Sequence, residues 1–126
     1  METREREHLI ATWIKHHKDS RASGTVPDET FWAWEELDRL CSIDPDAALA
    51  TILQILATDQ SDVVSENLAA GPLEDLLVRH GKEFIDRVEL EATKNPAFKL
   101  LLGGVWENAM DPTVWTRVQR AAGQKW

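Results

Sequence analysis

The stretch DPDAALATILQIL, residues 44–56, carries the clearest structural signal in this chain of 126 residues. Pro45 suits the first position of a helix, because the N–H group that proline lacks would have no helical partner there. Asp44, just before it, is a residue type that favours the N-cap. The residues from Pro45 to Ala57 are apolar nearly all round, which is typical of a helix that is buried on most sides. We therefore predict a capped central helix over residues 45–57.

The same arrangement of a capping residue and a proline recurs along the chain. A favoured N-cap residue precedes a proline at three further places: Gly71-Pro72, Asn95-Pro96 and Asp111-Pro112. A related start has Asp28 as the cap after Pro27. Apolar residues recur at helical spacing after these starts, and no alternating run typical of a strand is present. The segments predicted to be helical are residues 3–20, 28–42, 45–57, 61–69, 72–80, 82–94 and 112–122, with a short one after Pro96.

These segments predict an all-α fold. The chain length fits a single domain over residues 1–126, with about seven or eight short helices. Connections of only a few residues favour antiparallel neighbours, so we expect the helices to stack as antiparallel hairpins in a HEAT-like manner. The proline starts are unevenly spaced, and we predict no regular repeat.

The net charge of −8 is unevenly distributed. Residues 26–46 carry seven acidic side chains against one basic side chain, that of Arg39, whereas residues 94–126 carry a small basic excess. This layout disfavours nucleic-acid binding, because phosphate contacts need clustered lysines and arginines. It favours a partner protein with a basic surface. A solvated acidic face that keeps the protein soluble explains the same charges equally well.

Neither a membrane segment nor a signal peptide is expected from the sequence. No stretch approaches the ~20 apolar residues that a membrane-spanning helix needs. The first ten residues, METREREHLI, have no long apolar run behind them. The single cysteine, Cys41, cannot form an intramolecular disulfide, which agrees with a reducing compartment. We expect a cytoplasmic protein that does not contact a membrane.

The segment ETFWAWEELDR, residues 29–39, contains the candidate binding residues. On a helix, Trp34 joins the inward apolar stripe, whereas Trp32 falls on the opposite side, beside charged residues. Trp and Arg are frequent anchors of protein interfaces. The alternative is a helix that is buried on both faces. The candidate binding residues are Trp32, Glu35, Glu36, Asp38 and Arg39.

The segment LAAGPLEDLLVRHG, residues 68–81, is interpreted as a short capped helix over residues 72–80. Glu74 lies in its first turn, where a carboxylate interacts favourably with the helix dipole. His80 lies on the apolar face, too far round the helix for the carboxylates of the same segment to reach it. Gly81 is of the type that ends a helix. We therefore predict no acid/base site in this segment, and a functional His80 would need a partner from another helix.

No metal or cofactor site is predicted. His16 and His17 are adjacent and point about 100° apart, whereas a zinc-binding helix places two histidines four residues apart. We expect His17 to cap the apolar stripe and His16 to be solvated. A small enzyme or metal-binding protein that uses His80 or the His16/His17 pair stays an alternative. A structural subunit of a homo-oligomer, in which Trp32 or Trp126 covers a second copy, is the other.

Three segments together resemble a known family. These segments are Gly-Pro-Leu-Glu-x-Leu-Leu at residues 71–77, Asn-Pro-x-Phe at residues 95–98 and Leu-Gly-Gly-Val-Trp at residues 102–106. In the last of them we expect the double glycine to end a helix and to let the backbone turn sharply or pack closely, and Trp106 to fill the core. Over roughly residues 30 to 120 the chain resembles an uncharacterised family of small bacterial proteins. The resemblance implies a cytoplasmic helical domain without assigned chemistry. The charge layout and Trp32 lead us to expect a protein-binding module, and by analogy of size and charge immunity or antitoxin proteins are the nearest class.

Overall fold

The computed structural model describes residues 2–126, and these form helices without any strand, which confirms the all-α class. A π-helical turn, Ala69–Leu73, joins the fourth helix directly to the fifth. The described residues therefore contain six uninterrupted helical runs, fewer than the seven or eight predicted. The helices are α1 Thr3–Ser23, α2 Phe31–Ile43, α3 Pro45–Thr58, α4 Asp62–Leu68, α5 Glu74–Lys94, α6 Pro96–Leu102 and α7 Pro112–Ala121.

Three of the predicted helix starts are confirmed by their caps. Asp44 accepts a hydrogen bond from the backbone N–H of Ala47 at the start of α3. Asn95 and Asp111 do the same at the starts of α6 and α7, and each is followed by proline at the first helical position. The start predicted at Asp28 is wrong, because residues 28–30 form a turn and α2 begins only at Phe31.

The helix start predicted at Gly71-Pro72 is also wrong. The chain is already helical there, and Pro72 lies inside the π-helical turn. Proline lacks the N–H donor of a regular helix and crowds the preceding turn, and a π-turn is the wider form that is inserted singly within α-helices. The fully buried Cys41 fills the space beside this turn and donates its Sγ–H to the carbonyl of Pro72 at 3.4 Å.

The helix end predicted at Gly81 is wrong for a different reason. Helix α5 continues through this residue, with only His80 departing from helical dihedral angles, at φ −131° and ψ 18°. A Cβ atom on Gly81 would lie 2.8 Å from Cγ1 of Val114. The glycine therefore serves the close approach of α7 to α5 rather than the termination of a helix.

One connected core runs from Leu9 in α1 to Val118 in α7. Trp13 and Phe98 are its largest fully buried side chains. Helix α3 packs against α1, α2, α4, α5 and α6, and Ile52 and Ile55 are completely buried in it. The central position predicted for this helix is confirmed. The HEAT-like stacking and the single domain over residues 1–126 stay predictions.

The sequence predicted that Trp106 fills the core, and this is wrong. The loop after α6 shows the reason. Glu74 is only 9% exposed, and its carboxyl oxygens accept hydrogen bonds from the backbone N–H of Trp106 and from Nδ2 of Asn108, both at 3.1 Å. The backbone is held inward by these bonds, and the indole of Trp106 is 70% exposed. The dipole interaction predicted for Glu74 at a helix start does not apply, because the π-helical turn joins α4 directly to α5 and leaves no free helix end there.

The double glycine directly follows Leu102, the last residue of α6, so it ends a helix as predicted, and it also serves the predicted close packing. A Cβ atom on Gly104 would lie 2.5 Å from the ring of Trp126. The backbone N–H of Trp126 donates to the carbonyl of Gly103 at 3.0 Å, and its indole N–H donates to the carbonyl of Leu100 at 2.8 Å. Residues 2–126 contain no helix that is both long and apolar enough to cross a membrane.

A candidate binding groove between the first two helices

A groove of about 480 Å³ lies between the N-terminal half of α1 and the exposed side of α2. Helical spacing explains its lining, because residues three or four apart share one side of a helix. Helix α1 presents Glu5, His8 and Leu9. Helix α2 presents Trp32, Glu35, Glu36 and Arg39. Four of the five residues predicted for binding are therefore brought together here, with three residues of α1 that the sequence had not indicated.

Contacts of His16 outside the groove tie α1 to the start of α2. Nδ1 of His16 lies 2.9 Å from Oγ1 of Thr30, which ties α1 to the residue before α2. The His16 ring also packs on Phe31, with ring centroids 5.9 Å apart. His16 is only 4% exposed, so the solvated position predicted for it is wrong. Leu9 is buried and closes the floor between the two helices.

Trp32 is the aromatic surface of the groove. Its ring stacks on that of His8, with centroids 5.0 Å apart and an interplanar angle of 29°. Trp32 keeps 39% of its surface exposed, so α2 is not fully buried on this face. Trp is an effective interface anchor because it offers a large, rigid apolar area with few side-chain torsions to restrict.

Trp34 was predicted to face inward, and this is wrong. It is 41% exposed and stacks on Phe31, with centroids 5.4 Å apart and an interplanar angle of 11°. The buried stripe of α2 consists of other residues, so Trp34 lies on its flank. That stripe is Ala33, Leu37, Leu40 and Cys41.

Carboxylates outnumber cations along the groove. Arg39 donates from Nε and Nη2 to the two carboxylate oxygens of Glu36, both at 2.7 Å. These hydrogen bonds hold the pKa of Glu36 below its ordinary value and the pKa of Arg39 above its own. Glu5 and Glu35 are exposed and form no ion pair within residues 2–126. The groove can therefore attract a positively charged ligand.

Asp38, the remaining predicted residue, does not line the groove. It is half-buried on another side of α2. Burial raises the pKa of the Cys41 thiol to about 12, and the negative charges of Asp75 and Asp38 contribute to the same shift. Asp38 thus belongs to the side of α2 that faces α5.

The histidines considered for catalysis or metal binding have separate structural partners. His17 packs edge-on to Trp13 at 4.2 Å, and burial, together with neighbouring His16, lowers its pKa to about 4. Nε2 of His80 lies 3.1 Å from the carbonyl oxygen of Ser42, so its partner from another helix is a backbone group. No group of three or more His, Cys, Asp or Glu side chains that could hold a metal ion occurs in the part of the chain that the structure describes.

Comparison with known proteins assigns the chain to a family. A family of unknown function (DUF6869) matches residues 20–126, which include all of α2 and both Glu74 and Trp106. The α1 side of the groove lies before this match. Neither a curated protein nor a solved structure matches the chain. Because the family match spans most of its length, the chain belongs to this family of unknown function, DUF6869.

Proposed function

We propose that the protein is a protein-binding module whose groove between α1 and α2 takes a basic segment of a partner protein. The observation that carries this proposal is the exposed ring of Trp32 beside three carboxylates, those of Glu5, Glu35 and Glu36. A cation over the face of a Trp ring is attracted by the ring quadrupole, and nearby carboxylates add Coulomb attraction. Lysine and arginine side chains combine a cation with an apolar stem and therefore suit both parts of the groove.

The size of the groove limits the kind of contact. A volume of about 480 Å³ falls in the range of pockets that hold a ligand or a few side chains. We therefore propose that a short basic stretch enters the groove, while other surfaces of the partner rest on the acidic exterior of α2. An immunity or antitoxin protein that acts in the bacterial cytoplasm against a basic partner fits this description. Self-association through Trp32 would cover the same groove.

A charge-reversal experiment tests the proposal. A fluorescein-labelled tetralysine peptide is titrated with the protein and with the double variant Glu35→Lys/Glu36→Lys. We expect the variant to bind at least about tenfold more weakly, because reversing two charges at a complementary site costs well over 1.4 kcal/mol. The matched control is Glu83→Lys/Glu107→Lys, which makes the same charge change at two exposed sites outside the groove. Equal losses in both variants would show that only the overall charge matters and would contradict the proposal.

A further inference from the structure

We infer that the groove recognises an arginine in preference to a lysine, and that Arg39 is an internal occupant which the partner's arginine replaces on Glu36. This inference rests on the proposed function and specifies the partner's contacting group. It follows from the geometry of the Glu36–Arg39 pair, from the exposure of that pair and from the position of Trp32.

The pair shows how Glu36 meets a guanidinium. Its two oxygens accept the Nε and Nη2 donors of Arg39 at equal distances of 2.7 Å. This is the two-bond arrangement that matches the planar fork of arginine to a carboxylate, and an ammonium group cannot reproduce it. Glu36 and Arg39 both line the groove, so the groove already holds one guanidinium group on the Glu36 carboxylate.

The internal pair is easily exchanged. Arg39 and Glu36 lie three residues apart on α2, and their side chains are 53% and 29% exposed. An exposed pair of this kind contributes at most about 1 kcal/mol, because water solvates both groups well when they separate. A released Arg39 side chain extends into solvent without leaving a buried charge behind. A partner's arginine therefore meets little opposition from the occupant it displaces.

Trp32 favours the incoming arginine over the internal one. Its partly exposed ring lies on the same side of α2 as Glu36, and one of its faces is stacked on His8. A guanidinium can lie flat on the other face while its edge points to the carboxylates. Arg39 forms no cation–π contact with Trp32, since the described contacts of this type involve Arg87 with Phe84 and Lys125 with Trp106. The partner's arginine gains the ring contact that Arg39 lacks.

The test compares fluorescein-labelled tetra-arginine with tetralysine, which carry the same charge. At low salt the wild-type protein should bind tetra-arginine about five- to tenfold more tightly, a difference of roughly 1–1.4 kcal/mol. Arg39→Lys keeps the charge of the groove but removes the fork. It should raise the affinity for tetra-arginine about threefold and that for tetralysine by less, because an ammonium group makes only one contact with the carboxylate that is freed. Trp32→Leu should reduce the arginine preference to less than twofold, whereas Trp34→Leu, on the same helix outside the groove, should preserve it.

The outcomes separate this inference from the proposed function. Equal binding of the two peptides, lost on Glu35→Lys/Glu36→Lys, overturns the arginine preference and leaves the protein-binding function standing. An unchanged tetra-arginine affinity in Arg39→Lys, with an increase for both peptides in Arg39→Gln, shows that Arg39 acts only by its charge and overturns the replacement. Binding of neither peptide contradicts both proposals.

Discussion

Glu74 shows how one side chain can decide the shape of a distant loop. From the sequence it is a carboxylate in the first turn of a helix, where it interacts favourably with the helix dipole. In the structure it is buried and receives two hydrogen bonds from the loop after α6, more than thirty residues further along the chain. Local spacing contains no information about that loop. Two of the segments that carried the family resemblance therefore meet at one carboxyl group.

Removal of this group should destabilise the protein. In Glu74→Ala the backbone N–H of Trp106 loses its acceptor, and the free energy of unfolding should fall by about 1–3 kcal/mol. Glu74→Gln keeps the shape and one acceptor oxygen, so its loss should be smaller. Urea unfolding followed by circular dichroism measures both variants. A Glu74→Ala variant as stable as the wild type would contradict the role that we assign to the carboxyl group.

The histidine and tryptophan positions mark the limit of prediction at this scale. Helical spacing correctly identified Trp13 as buried. It predicted a solvated His16 and an inward Trp34, whereas His16 is buried and Trp34 is exposed. Both errors concern residues at the edge of an apolar stripe, where the partner helix decides which side is covered. The burial of His16 depends on Thr30 in the following turn, a contact that spacing within α1 cannot show.

Helix boundaries follow the local chemistry where the cap and the proline act together. Asp44, Asn95 and Asp111 are capping residues whose side chains reach amides two or three residues ahead, so the sequence contains the whole interaction. Gly71 precedes a proline in the same way but has no side chain that could accept an amide hydrogen bond, and the helix continues through it. Packing of α4, the π-turn and α5 against the rest of the fold overrides the local preference there.

Two glycines of this long helical run should respond to alanine in opposite ways. In Gly81→Ala the new Cβ meets Val114 at 2.8 Å, so α5 and α7 must move apart and the unfolding free energy should fall by about 1–3 kcal/mol. In Gly71→Ala nothing lies within 4 Å of the new Cβ, and the variant should be unchanged or more stable by up to about 1 kcal/mol. Thermal unfolding compares the pair. If Gly81→Ala were the more stable variant, the close approach of the two helices would be refuted.

The groove is formed by two helices, and the sequence predicted only the residues that α2 contributes to it. The periodicity of α2 placed Trp32, Glu36 and Arg39 together, and the structure agrees. Asp38 was included for its charge, although six residues of helix turn it away from Trp32. Glu5 and His8 could not be identified, because their role depends on how α1 packs against α2.

Charge distribution gives this groove a context across the molecule. The acidic block at residues 26–46 contains α2, whereas the basic excess lies towards the other end of the chain, where Lys125 covers the exposed Trp106 at 5.9 Å. One cation, Lys125, thus lies over Trp106, whereas carboxylates outnumber cations around Trp32. A basic ligand should prefer the region around Trp32, because the excess of carboxylates there attracts it.

The central claim, that Trp32 and its carboxylates form the binding site, is tested most directly by NMR of the six tryptophan indole N–H signals. The Trp32 signal is identified by its loss in Trp32→Phe. On titration with tetra-arginine to about 1 mM, which half-fills even a site of millimolar Kd, we expect the Trp32 signal to shift progressively as peptide is added. The signals of buried Trp13 and of Trp34 should stay in place. A largest shift at Trp106 or Trp126, or no shift of any indole signal, would contradict the claim.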